Sequence, residues 1–163
     1  MNIQSYSKED CEEVIALVLS CQNDGTRPLV SIDNQPELLH IKEKYIDKGG
    51  NFWVAKDQGM VVGCIGLQMY DNGIAILKKF FVNEHYRSNP HHLGGKLYGT
   101  LLEYAKSHGV ETIILDTPKN TDRAHKFYEK AEFKKIKEEE LPIKYNPPYE
   151  DSDYFLLSLT SVH

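Results

Sequence analysis

Phe127-Tyr128 stands in the segment Asp122 to Ala131, whose spacing predicts a short helix. Ala124, Phe127 and Ala131 fall at i, i+3 and i+7, so they share one face, and such a stripe ordinarily belongs to a core. Tyr128 lies beside that face. Its ring can pack, or its hydroxyl can give a proton to a leaving group in a cleft. Upstream, Phe81-Val82 closes an apolar run, the loop Asn83-Glu84-His85-Tyr86-Arg87 follows, and Gly94-Gly95-Lys96-Leu97 opens a helical pattern. A helix start offers N–H groups without intrahelical partners and a favourable dipole, which suits phosphates. Glycines let the backbone come close to such a ligand. The pair alone reads first as a plain loop that starts a helix. It matches neither G-x-G-x-x-G nor G-x-x-x-x-G-K-[ST]. His85, His91 and His92 share the loop, but with only Glu84 beside them they lack the convergent ligands of a metal site.

Strands and helices must position these groups. Met1 to Tyr6 reads as a first strand, and Ser7 to Asp10 has capping-box spacing ahead of a helix carrying Val14, Leu17, Val18 and Cys21. Asn23 to Pro36 is rich in turn residues. A second helix is expected from Pro36 to Lys48, with Leu38, Leu39, Ile41 and Tyr45 inward and Gly49-Gly50 as its stop. Phe52 to Lys56, Met60 to Tyr70 and Ile74 to Val82 read as strands. The turns Asp57-Gln58-Gly59 and Asp71-Asn72-Gly73 join them into an antiparallel meander. A helix from Lys96 to His108, a buried strand from Thr112 to Asp116, and the helix Asp122 to Ala131 come next. Phe133 to Glu139 and Tyr154 to Thr160 read as the last strands, separated by the proline-bearing loop Leu141 to Asp153. This order predicts one α+β domain over residues 1–163, with a mixed, mostly antiparallel central sheet and helices on both faces.

The chain has 163 residues, 40% hydrophobic and 26% charged, enough to bury one core without a disulfide or metal. The formal net charge of -5 argues against a nucleic-acid backbone as partner. Its plain meaning is solubility, though it also suits a cationic amine. Cys11, Cys21 and Cys64 have no C-x-x-C spacing and read as thiols in a reducing compartment. The polar start has no signal-peptide core, and no stretch has the length of a membrane span, so a cytoplasmic setting without membrane contact is expected.

The two chemistry-bearing stretches together form a longer pattern: a strand, V-x-x-x-Y-R, a glycine turn, a helix with L-x-x-x-L-L, a strand, then A-x-x-F-Y-x-K-x-x-F. This pattern resembles the GNAT acetyltransferases, most specifically in its last element. The resemblance implies an N-acetyltransferase that moves an acetyl group from acetyl-CoA to a primary amine of a small molecule or peptide by direct attack. On the matching positions it implies that Phe81 and Val82 pair with the pantetheine arm. Arg87, Gly94, Gly95, Lys96 and Leu97 would hold the pyrophosphate, Asn120 the pantetheine, and Lys126 and Phe127 would flank the cofactor. Tyr128 would be general acid toward the leaving thiolate. Glu84 is the nearest carboxylate for the base. A non-catalytic acyl-CoA module or a cofactor-free interaction domain of the same fold are the alternatives.

The pattern departs from the family in three places. Counting back from Leu101-Leu102 puts Lys96 and Tyr98 where two small residues are expected, with about six extra residues from Ser88 to Leu93. Asn120 is four residues before Ala124, leaving Thr121 at the usual spacing. Glu132 replaces a glycine that ends the helix, a left-handed position that costs a non-glycine residue about 1 kcal/mol. The acceptor would be chosen by Asn23 to Pro36 and Leu141 to Asp153, and the acidic runs Glu138-Glu139-Glu140 and Glu150-Asp151-Ser152-Asp153 would attract an amine if they border it. The last strand is expected to be an exposed edge able to pair with a second copy.

Overall fold

The structure, a computed structural model, describes residues 1–23, 31–87, 91–119, 122–144 and 152–159. Its elements are β1 (Asn2–Ser5), α1 (Cys11–Gln22), β2 (Asn51–Asp57), β3 (Met60–Met69), β4 (Ile74–Val82), α2 (Leu93–Ser107), β5 (Thr112–Pro118), α3 (Asp122–Lys130), β6 (Lys134–Ile136) and β7 (Ser152–Ser158). The seven strands form one sheet in the order β1-β2-β3-β4-β5-β7-β6. Only β4 and β5 run parallel, because α2 carries the chain across between them; the other neighbours are antiparallel. The expected mixed, mostly antiparallel sheet is therefore present. Gln58-Gly59 and Asn72-Gly73 all have positive φ, the conformation that tight hairpin turns demand.

Alternating side chains send the sheet into two cores. Trp53, Ala55, Ile65, Leu67 and Leu77 pack under α2 and α3 with Leu93, Leu97, Leu101 and Phe155. Phe52, Val54, Val61 and Cys64 pack on the other face against α1, Leu38, Ile41 and Tyr45. The expected helix over 36–48 is divided. A 3-10 turn, Pro36–Leu39, and a π-helical turn, Lys42–Ile46, are separated at His40, whose φ of -137 and ψ of 43 are not helical. Leu38, Ile41 and Tyr45 keep helical spacing and are buried. Leu39 falls off that line and is 55% exposed, contrary to expectation.

At the C-terminal end, β6 is shorter than predicted and gives way to a 3-10 turn at Glu138–Glu140. The last strand is not an edge. β7 lies between β5 and β6, with both sides hydrogen-bonded, so it cannot take a second copy. The edges are β1 and β6, and β6 exposes Lys134 and Lys135, which discourage strand pairing.

Asp10, buried at the start of α1, takes a 2.6 Å ion pair from Lys56 and a 3.0 Å hydrogen bond from the Ser7 N–H. Burial alone would raise its pKa, but the bonds from Lys56 and Ser7 outweigh it and hold the carboxyl below its usual value. Such a group stabilises the fold above its unfolded pKa, about 3.9. That contribution is lost as pH falls through the folded value. Thermal melts from pH 7 to pH 2 should show Asp10→Asn less stable than the parent at pH 7 and less sensitive to acid. Parallel curves would show that the pair contributes nothing.

Candidate active site

β4 and β5 pair only at Ile74–Ile76 with Thr112–Ile114; β4 then continues to Val82 and β5 to Pro118 without ladder bonds to each other. A parallel pair that opens in this way leaves backbone donors and acceptors facing a wedge, and an extended chain can occupy it as an added strand. The opened stretch of β4, past Ile76, contains an irregularity. Gly66 pairs with Lys78 and Cys64 with Phe81, so Lys79 and Phe80 together oppose Ile65, and Lys79 has φ of 53. This is a β-bulge, which bends a strand and re-aims its side chains. The buried Cys64 thiol donates to the Lys79 carbonyl at 3.2 Å, and burial pushes that thiol's pKa up.

On one face of the wedge, α2 begins at Leu93, three residues before the predicted start, after the left-handed His92. Gly94 and Gly95 therefore lie inside its first turn. The first backbone bond of α2 is Lys96 N–H to His92, at 3.4 Å, and the His92 side chain makes no cap. The N–H groups of Leu93, Gly94 and Gly95 thus have no intrahelical acceptor. A Cβ on Gly94 would meet Phe80 and Phe127 at 3.6 and 3.7 Å, so β4, α2 and α3 converge there; a Cβ on Gly95 would meet nothing. The small residues at the helix start are these two glycines. Lys96 and Tyr98, the two positions counted back from Leu101-Leu102, lie further along the helix. Tyr98 is buried against Phe127 and Phe133, with its hydroxyl unpartnered among the described residues.

α3 stands across the wedge. Tyr128, rather than the stripe beside it, is its buried residue; Ala124, Phe127 and Ala131 are half-buried against the core. The Tyr128 ring meets Phe80 at 6.4 Å, Phe133 at 5.5 Å and Phe155 at 5.8 Å. No described residue hydrogen-bonds its hydroxyl. Burial, with Asp116 and Tyr98 nearby, pushes its pKa above the ordinary phenol value, so it is protonated at neutral pH. Glu132 ends α3 with φ of 71, the left-handed conformation expected for it.

The opposite face holds polar groups that the sequence reading passed over. The bulge brings Lys78 and Lys79 to the same side. Lys79 Nζ bonds Gln35 Oε1 at 2.5 Å and Glu37 at 3.1 Å, and Gln35 exchanges amide bonds with Gln22. Lys78 is largely buried, which lowers its pKa, with Glu37 and Asp116 as charged neighbours pulling it back up. Two adjacent lysines inside the apolar run Ile74 to Val82 were the available signal, since they break strand alternation.

The other predicted positions are distributed as follows. Phe81 packs against the α1 core and Val82 against the α2 core. Arg87 donates from Nε to the Val82 carbonyl at 2.9 Å, which ties down the end of β4. Leu97 is buried, while Lys96 and Lys126 are exposed. Glu84 lies on the 3-10 turn Glu84–Tyr86 with a side chain 74% exposed, beside His85. Asn120 and Thr121 lie outside the described residues.

Residues 11–133 match the model of the acetyltransferase (GNAT) family. An acetyltransferase structure from Streptococcus agalactiae is 34% identical, covers 97% of this chain and 98% of its own, and superposes with a TM-score of 0.92. A GNAT-family acetyltransferase from Staphylococcus aureus is 31% identical over 97% and 98%, with a TM-score of 0.90. A probable N-acetyltransferase, camello, from Xenopus tropicalis is 31% identical over 65% of this chain and 49% of its own length. The chain spans about half the length, or less, of the curated relatives it matches. The chain belongs to the GNAT acetyltransferase family. Its fold and its sequence match are those of an acetyltransferase domain of that family.

Proposed function

We propose that this domain binds acetyl-CoA in the wedge between β4 and β5 and passes the acetyl group directly to a primary amine. The observation that carries this reading is the convergence of the opened β4 edge, the uncapped α2 start and Tyr128 on one wedge. The residues fit the donor. Phe81 and Val82 offer backbone to the pantetheine. The Leu93 to Gly95 N–H groups face the pyrophosphate, with Lys96 and Lys126 as outlying cations. Gly94, Leu97 and Phe127 form the wall. Arg87 fixes the end of β4 and contributes positive charge, and Asn120 remains the pantetheine contact suggested by its position. Bound acetyl-CoA supplies the activated acetyl group. A β4 N–H beyond the bulge steadies the charge that develops on the carbonyl oxygen. Tyr128 gives its proton to the departing sulfur. Glu84, so exposed, would act as base only through water. No cysteine is used as nucleophile; Cys64 is buried and protonated. The described residues include no helix long and apolar enough to cross a membrane, and none of the three cysteines is in a disulfide. Both support a cytoplasmic setting.

Titration of the purified chain with acetyl-CoA tests the reading. A ligand at about 100 times its dissociation constant adds about 2.7 kcal/mol to stability. A clear thermal shift, followed by amine-dependent thiol release, is expected, and no shift would overturn the reading. Gly95→Ala gives a second check. Gly95 has no positive φ and open space at its Cβ, so alanine should raise stability by up to about 1 kcal/mol. The same methyl should weaken acetyl-CoA roughly tenfold by holding the pyrophosphate off the backbone. Calorimetry showing unchanged affinity would move the phosphate site elsewhere.

A further inference from the structure

The α1 side of the bulge carries a buried polar group that the donor site does not use. Lys79 is 8% exposed, and Gln22 and Gln35 are 1% exposed. Glu37 is the anion beside Lys79 at 3.1 Å, and the two glutamines hold each other and the lysine in place. Tyr45 is wholly buried with Glu37 and Cys64 as titratable neighbours, and its hydroxyl has no hydrogen-bond partner among the described residues. Lys78 and Asp116 add a second cation and a second carboxylate on this face. Glu37, with a side chain 22% exposed, is the member of the pair that a ligand can reach, and the buried Tyr45 hydroxyl nearby is a polar atom without a partner among the described residues.

We infer that this Lys79–Glu37 pair is the acceptor subsite, and that it selects a zwitterionic α-amino acid over a simple amine. The inference rests on the acetyltransferase reading. The donor's groups, α2 and α3, occupy the other face of the same bulge, so the acceptor must come from this one. Among the described residues, the four charges named here, Lys78, Lys79, Glu37 and Asp116, sum to zero. A ligand with net charge would leave one of them uncompensated in a dry site, which is costly. A zwitterion enters without that cost: its carboxylate meets Lys79 and its ammonium meets Glu37. With the acceptor seated there, Glu37 in place of Glu84 takes the first ammonium proton and passes it to water. The neutral nitrogen then bonds to the acetyl carbon as the carbon–sulfur bond breaks. The sulfur receives its proton from Tyr128, and the second nitrogen proton replaces that one. One proton reaches solvent overall, and the products are an N-acetyl amino acid and coenzyme A.

The test is a matched acceptor panel with purified parent protein: the twenty amino acids, and 2-phenylethylamine and cadaverine against phenylalanine and lysine. Acetyl-CoA binding is measured separately by calorimetry. An amino acid should exceed its decarboxylated amine in kcat/KM by about a hundredfold, the range expected for one buried charge contact. In Lys79→Met that ratio should collapse towards one, and Glu37→Gln should lower kcat while acetyl-CoA still binds. Amines used as well as amino acids, or no amino acid used with acetyl-CoA bound, would overturn the subsite and leave the acetyltransferase reading standing. Absence of acetyl-CoA binding would overturn both.

Discussion

Tyr128→Phe should lower kcat by about a hundredfold to a thousandfold, the loss typical of removing a positioned proton donor. Acetyl-CoA affinity should stay within about threefold, because the ring walls remain and only the hydroxyl goes. Folding provides an internal control. The hydroxyl has no hydrogen bond to any described residue, so its removal strands no partner and stability should change by under about 0.5 kcal/mol. Burial sets the pH behaviour. It keeps the phenol protonated well past its ordinary value, so the proton is present throughout the working range. Burial also makes the phenol a weaker acid, and transfer is driven by the anion appearing on sulfur in the same dry wedge. The parent's rate should therefore rise with pH as the amine loses its proton, without a falling limb below about pH 10. Single-turnover rates from pH 6 to 10 for both proteins would settle it. An unchanged Tyr128→Phe rate would remove the tyrosine from the chemistry.

What could be read from the sequence was what neighbouring residues decide. Gln58-Gly59 and Asn72-Gly73 can hardly adopt anything but tight turns, so β2, β3 and β4 were placed within a residue or so. Glu132 stands where a left-handed stop is needed and no glycine is present, and the chain takes that conformation with glutamate. Contacts distant in sequence were harder. His40 breaks a stretch whose local pattern is helical, and Leu38, Ile41 and Tyr45 still reach one core across the break. β7 inserts between β5 and β6, a choice made by sheet order and not by its own residues. α2 starts three residues before its pattern predicts, because two glycines read locally as loop, whereas Leu93 and Gly94 pack against Gly63 and Phe80. The polar cluster joins Gln22, Gln35, Glu37 and Lys79 from three elements, and only the bulge, itself a pairing irregularity, turns Lys79 toward them. Tyr128 was legible as a residue and not as an environment.

Gly63→Val should be the most damaging single change away from the chemistry. Gly63 lies in β3 under α2. A Cβ there would come within 2.9 Å of Leu97 Cδ1, closer than real contacts allow, and within 3.0 Å of Leu93 Cδ2, a tight contact. Both leucines are fully buried among the α2 core and have nowhere to swing. Valine adds two further carbons, so the helix must lift, and overpacking of this kind costs about 3 kcal/mol. For a chain of this size that lowers Tm by roughly 6 to 12 °C. The consequence reaches the site because Leu93 opens the helix whose first N–H groups face the wedge. A shift of even about 1 Å there misaligns donors with the pyrophosphate and should weaken acetyl-CoA tenfold or more. Gly63→Ala, with one carbon added, should fall between the two. Urea unfolding and calorimetry with acetyl-CoA at a temperature where all three are folded would measure both effects. If Gly63→Val lost stability but kept the parent's affinity, the helix start would not be what holds the cofactor. Loss of both together, graded through alanine, would tie the cofactor site to the packing of one strand residue beneath it.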